Sequence, residues 1–177
     1  YTGQILDILN NYNIKATFFV TSLGDDSLIQ REYNEGHTIG LHTSSHKWDI
    51  YQSEETYFED LSIISDRVKR LTGYSSMLIR FPGGSGNTIS RKYSNGIMAT
   101  LTNEILQQGY HYFDWNVCVE DAGACTKVSD YSEKESCVIN YFESQISKNK
   151  SNVVLLHDIK SYTANSLETM INYGLYN

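Results

Sequence analysis

Proline is nearly missing from this chain: Pro82 is the one proline among 177 residues. It marks Pro82-Gly83-Gly84-Ser85-Gly86-Asn87 as a loop, where a fixed φ meets residues that tolerate tight turns. Long apolar runs are missing too. None approaches the ~20 residues that a membrane-spanning helix requires, so no transmembrane segment is expected. Positive charge is in deficit, with 14 Lys and Arg against 21 Asp and Glu and a net charge of −7. Lys69 and Arg70 form an isolated cationic pair at the end of an expected helix. Without a basic patch interleaved with aromatics, a phosphate-tracking nucleic-acid surface is excluded, and a neutral or weakly charged substrate is easier to accommodate. Cysteine is scarce: Cys118, Cys125 and Cys137 form no C-x-x-C pair, which excludes a zinc ribbon. Cys125 with Cys137 is the preferred disulfide in an oxidising compartment; free buried thiols are the alternative. Tyr1-Thr2-Gly3-Gln4 has neither a basic flank nor an apolar signal core, so compartment has to be argued indirectly.

What is present is an ordinary globular composition, 40% apolar and 20% charged, of a length suited to one domain over 1–177. The 14 tyrosines, with Trp48 and Trp115, would suit stacking on sugars, although most are expected in the core or scattered over the surface. Helical periodicity runs from Tyr1 to Tyr12 and from Ser27 to Glu35. A longer helix follows Ser53, a plausible N-cap, and closes at Gly73. Further helices are expected from Ile97 to Gln108, across Cys137 to Ile146, and from Ala164 to Asn172. Short apolar strands are expected at Ala16–Val20, Thr38–Leu41, Met77–Ile79, Tyr110–Val117 and Val153–Leu156. Strand and helix alternate throughout, which predicts an α/β fold with a parallel sheet, open or closed into a barrel.

The residues with chemical capability gather where strands end. His42, Arg80 and His157 each follow a strand directly, and Asp121 follows another shortly after. Parallel α/β folds build their sites at these carboxyl ends, where separate loops converge. His42-Thr43-Ser44-Ser45-His46 sets two imidazoles four residues apart, a spacing that on a helical turn brings both to one cation. Arg80-Phe81-Pro82-Gly83-Gly84 joins a permanent cation to a loop whose N–H groups could meet an oxyanion. His157 leaves a dry strand for a polar rim and could act as general acid, with Asp114 and Asp121 both candidates to orient it. His37 reads as structural and His111 as exposed.

In order along the chain, these motifs resemble the polysaccharide deacetylase family, also called the NodB-homology domain or carbohydrate esterase family four. Ala16-Thr17-Phe18-Phe19-Val20 looks like its second core strand, and Gly36 through His46 like its H-[S/T]-x-x-H metal motif. Arg80 to Gly84 matches its arginine-and-proline loop, Trp115 through Asp121 its fourth motif, and Leu155-Leu156-His157-Asp158 its last. The resemblance implies a distorted (β/α) barrel and a divalent cation, usually zinc, held by one Asp and two His. Residue by residue, it makes His42 and His46 metal ligands and Arg80 the tether of the catalytic base. It gives Gly83 N–H to the oxyanion, His157 to the departing amine, Asp121 to the orientation of His157, and Leu155 to the acetyl pocket.

Two departures accompany it. The family's T-F-D-D-G motif, source of the base and of the metal carboxylate, has no counterpart here. Asp25-Asp26 is followed by Ser27 and lies after the wrong strand, so the motif and the first core strand are expected before residue 1. The fourth motif commonly reads D-x-x-D-W, whereas Cys118 and Ala122 stand at its first and last positions here. The expected activity is hydrolysis of N-acetyl groups on an amino-sugar polymer, peptidoglycan or a chitin-like glycan, at an extracellular or cell-surface location. The alternatives are an inactive carbohydrate-binding domain on the same scaffold and an O-acetyl xylan esterase. No pattern specifies an oligomeric state.

Overall fold

The computed structural model describes residues 1–176 and separates the chain into two compact units. One is continuous, Lys15–Asp114; the other joins Tyr1–Ile14 to Trp115–Asn177, described to residue 176.

The continuous unit is built on four parallel strands in the order β1 (Thr17–Val20), β2 (Thr38–Leu41), β3 (Leu78–Ile79) and β4 (His111–Tyr112). β1 and β2 are in register from Thr17 opposite Thr38 to Val20 opposite Leu41. Gly40 belongs in that register for a steric reason. A Cβ there would come within 2.4 Å of the Phe19 ring, so any side chain would displace it. Three helices connect these strands: α1 (Asp26–Asn34), α2 (Glu54–Thr72) and α3 (Ile97–Gln107). Their termini follow from local chemistry. Ser53 accepts the Thr56 N–H, Glu54 and Glu55 lie in the first turn of α2, and Gly73 closes it at φ 72°. Tyr57, Leu61, Ile64 and Val68 form the stripe of α2 that meets Ile39, Leu41, Ile79 and Phe81 in one core. Tyr51, Tyr57 and Phe81 are fully buried, with Tyr51 stacked on Tyr57 and Tyr57 packed against Phe81.

The second unit pairs β5 (Val117–Cys118) with β6 (Val154–Leu155), again parallel. Around them lie helices α4 (Thr2–Asn11), α5 (Tyr131–Gln145) and α6 (Ser161–Tyr176), with Leu6, Val117, Val119, Val138 and Ala164 fully buried. Asp130 caps α5 by accepting the Ser132 N–H, so this helix starts at Tyr131, ahead of the Cys137 expected from periodicity. α6 likewise extends past both ends of the expected 164–172. The Cys125–Cys137 disulfide is formed and ties a short 3₁₀ turn (Ala124–Lys127) to α5; Cys118 is a free thiol.

The α/β class and the parallel pairing are as the alternating pattern predicts. One strand differs. Instead of a single strand across 110–117, β4 and β5 belong to different sheets. Phe113 N–H still bonds Ile79 O, but Phe113 O turns to the Arg80 side chain, and Asn116 and Val117 N–H both reach Val153 O. Short-range β propensity does not register this exchange of partners. Among the described residues, no helix is long and apolar enough to cross a membrane.

Candidate active site

In the continuous unit, the carboxyl ends of β1, β2 and β3 each run into a loop held by side-chain hydrogen bonds. His42 is the first residue beyond β2. Its Nδ1 lies 2.6 Å from the Arg80 carbonyl, which can only accept. Nδ1 therefore carries the proton, and the lone pair of the neutral ring sits on Nε2. His46 lies across from it, with ring centroids 4.8 Å apart.

The expected juxtaposition is present, but its cause differs from the one the spacing suggested. Residues 42–47 form no helical turn. The loop instead bends through left-handed backbone at Thr43 (φ 62°) and His46 (φ 53°), and this folds the fourth residue back beside the first. Such φ values cost about 1–3 kcal/mol at a non-glycine residue, most for a β-branched one, and they persist only where surroundings impose them.

Arg80 follows β3. Its Nε donates to Phe113 O at 3.0 Å, and its guanidinium lies 4.4 Å from the centroid of the Phe19 ring, the same ring that Gly40 admits. Burial lowers the Arg80 pKa, and the Asp114 carboxylate offsets only part of that fall. Asp114 also accepts from the Ser85 N–H at 3.0 Å and from the Ser85 hydroxyl, fixing the glycine loop. Gly83 is exposed at φ 76°; a Cβ there would come within 3.1 Å of both Trp48 and Asn87. Trp48 thus packs between the two loops, 6.5 Å from His46 centroid to centroid. Tyr51 OH supports the same loop by donating to Pro82 O at 2.8 Å.

In the second unit, Asp121 is 1% exposed and surrounded by donors. Its Oδ1 is 2.8 Å from His157 Nδ1, while its Oδ2 accepts from His157 N–H at 2.7 Å and from the Thr163 hydroxyl at 2.9 Å. Tyr162 OH donates to the Asp121 carbonyl. Of the two carboxylates considered for His157, Asp121 is the one bonded to it. The His157 side chain is 37% exposed, and with Nδ1 engaged its Nε2 is the nitrogen that can exchange protons with a ligand. Leu155 is buried on β6 opposite Cys118.

His37 is structural, as expected: its Nδ1 accepts the Ala16 N–H at 3.1 Å and burial lowers its pKa. His111 is exposed on β4. Asp60, Thr163, Tyr162 and Ser22 were not legible in the sequence. Each acts by holding another residue, and none lies in a motif.

The donor set suits a cation in part. Two imidazoles at this separation, one with its tautomer fixed by a carbonyl, suit two positions of a zinc site. Among the described residues, no group of three or more His, Cys, Asp or Glu side chains converges to complete one.

Comparison with known proteins gives this arrangement its family. The polysaccharide deacetylase family model matches residues 1–100, and the chain belongs to that family. It is similar to the solved catalytic domain of peptidoglycan N-acetylglucosamine deacetylase from Eubacterium rectale. The two are 40% identical with a TM-score of 0.87, over 99% of this chain and 78% of that one. YheN of Bacillus subtilis is 28% identical over 97% of this chain and 58% of its own length. The peptidoglycan-N-acetylglucosamine deacetylase PgdA of Listeria monocytogenes is 29% identical over 96% of this chain and 32% of its own. The chain thus spans little more than half of YheN, and less of PgdA.

Proposed function

We propose that this chain hydrolyses the N-acetyl group of an amino-sugar polymer, specifically N-acetylglucosamine units of peptidoglycan, with a divalent cation, zinc, held by His42 and His46. The observation that carries this reading is the pair of imidazoles 4.8 Å apart, with the His42 tautomer set by Arg80 O. The chain's likeness to two peptidoglycan N-acetylglucosamine deacetylases supports the substrate class. The family resemblance implies a carboxylate as the third protein ligand.

His42 and His46 would hold the cation, which when bound would supply Lewis-acid chemistry to the amide carbonyl and to a water. The family resemblance places the base outside residues 1–177, and this chain's own residues take the roles that follow. The Gly83 N–H donates to the oxyanion as the carbonyl carbon becomes tetrahedral. Arg80, fixed by Phe113 O and the Phe19 ring, orients the base that takes the water's proton. When the C–N bond breaks and acetate leaves, the family resemblance gives the protonation of the departing amine to His157 Nε2. Asp121 keeps the other ring nitrogen protonated and stabilises the imidazolium before the transfer. The family resemblance gives Leu155 to the acetyl pocket. We also place the protein outside the cytoplasm, a reading supported by the Cys125–Cys137 disulfide.

The test is metal analysis and acetate release by the full-length protein on peptidoglycan, N-acetylglucosamine oligomers and acetylated xylan. Stoichiometric zinc with acetate from the first two is the expected result. Acetate from xylan alone would make it an O-acetyl esterase, and glycan binding without acetate an inactive carbohydrate-binding domain. His157→Ala should keep zinc and lose turnover; unchanged turnover removes His157 from the acid role.

A further inference from the structure

We propose that Asp60, an acidic residue in the middle of helix α2, is the positioning residue that sets the His42–His46 pair. The inference rests on the reading of that pair as metal ligands. Its basis is an unusual convergence. Asp60 Oδ1 accepts from the backbone N–H of Ser44 at 2.7 Å and of Ser45 at 3.0 Å, while Oδ2 lies 3.2 Å from the Ser45 nitrogen. Two successive amides between the two histidines thus point into one carboxylate.

That grip falls where the loop most needs one. Thr43 and His46, on either side of Ser44 and Ser45, hold the left-handed backbone that folds His46 over His42. The Thr43 side chain adds no hydrogen bond to that restraint, since its buried Oγ1 has no partner among the described residues. Removing Asp60 would leave two part-buried amides without their acceptor, a cost of the same order as the strain of the left-handed residues. Without Asp60, the loop would relax towards ordinary backbone and the rings would part.

The same face of α2 holds the neighbouring loop. Arg67, two helical turns beyond Asp60, donates through Nε to Asp26 at 2.8 Å, through NH1 to Thr21 O at 3.2 Å and through NH2 to Gly24 O at 2.6 Å. The loops after β1 and β2 are joined by Ser22 N–H to Ser44 O at 3.0 Å and by their hydroxyls at 2.6 Å. Helix α2 therefore fixes the metal loop directly through Asp60 and laterally through Arg67 and Ser22.

The experiment compares Asp60→Ala, Asp60→Asn, Asp60→Leu and Asp66→Ala in the full-length protein, the last altering an exposed acid on the same helix. Zinc ion is titrated against a chromophoric chelator. Amide exchange at Ser44, Ser45 and the buried Leu101 is followed in zinc-free protein. Asp60→Ala should weaken zinc binding about 10- to 100-fold, the range found when a partner behind a metal ligand is lost. Exchange at Ser44 and Ser45 should accelerate, with Leu101 unchanged. Asp60→Asn keeps an oxygen that can accept both amides and should lose less than Asp60→Ala, and Asp66→Ala should match the parent. Parent-like zinc affinity and parent-like Ser44 and Ser45 protection in Asp60→Ala would overturn the assignment. If that variant does not fold, the same parent-like result in Asp60→Leu, which fills the space with no acceptor, overturns it. A parent that binds no zinc overturns the metal reading instead, and the exchange data then judge Asp60 independently.

Discussion

Asp121 takes hold of His157 at two points, one carboxylate oxygen on the ring Nδ1 and the other on the backbone N–H. The double grip fixes both the tautomer of the imidazole and the direction in which it leaves β6. A carboxylate that only neutralised charge would need one of these bonds. Its burial, at 1% exposure, shields the pair from competing water.

Asp121→Asn should therefore separate charge from geometry. The amide oxygen can still accept one bond, but it stabilises no imidazolium and admits the opposite tautomer. Turnover should fall by about 10²- to 10⁴-fold, the scale seen when the acid behind a catalytic histidine is neutralised. Zinc content and substrate KM should stay near those of the parent. Steady-state kinetics with metal analysis measures all three.

Thr163 holds the second oxygen of Asp121 from the first turn of α6. Thr163→Val preserves shape and removes that hydroxyl, leaving Oδ2 with the His157 N–H alone among these bonds. A stability loss of about 1 kcal/mol is expected from the missing hydrogen bond, with a smaller fall in turnover than for Asp121→Asn. Urea titration alongside kinetics checks it, and Thr163→Ser should restore both.

The disulfide encloses the residues between Cys125 and Cys137, twelve positions apart. A loop of this size restrains the unfolded chain by about 3 kcal/mol in the chain-entropy description. The double variant Cys125→Ala/Cys137→Ala should melt about 6–12 °C lower in a domain of this length. Adding reductant to the parent should bring its melting temperature down to that of the variant.

His37 gives the stability a pH dependence of known sign. Burial holds its folded pKa below the usual 6.5, and its Nδ1 must stay unprotonated to accept the Ala16 N–H. The unfolded chain binds the proton more readily. The stabilisation is therefore complete above about pH 6.5 and is lost as pH falls through the folded value. Unfolding free energy measured by urea from pH 7.5 to 5 should decline, and His37→Gln should flatten the slope in that window.

The sequence by itself determined the class of fold, because the signals are local. Apolar runs at Thr17–Val20 and Thr38–Leu41, the stripe from Tyr57 to Val68, and the stop at Gly73 each report a backbone state within a few residues. It also placed His42, Arg80 and His157 at strand ends, since a strand and the residue after it are neighbours in the chain. Tertiary structure decided what holds these residues in place. The histidine pair meets through left-handed loop backbone and not through a helical turn. Asp121 serves His157 while Asp114 serves Ser85, and Asp60 reaches two amides from another element. These bonds join groups 15 to 36 positions apart. A hydrogen bond of that span depends on where two elements come to rest, and no residue spacing along the chain encodes it.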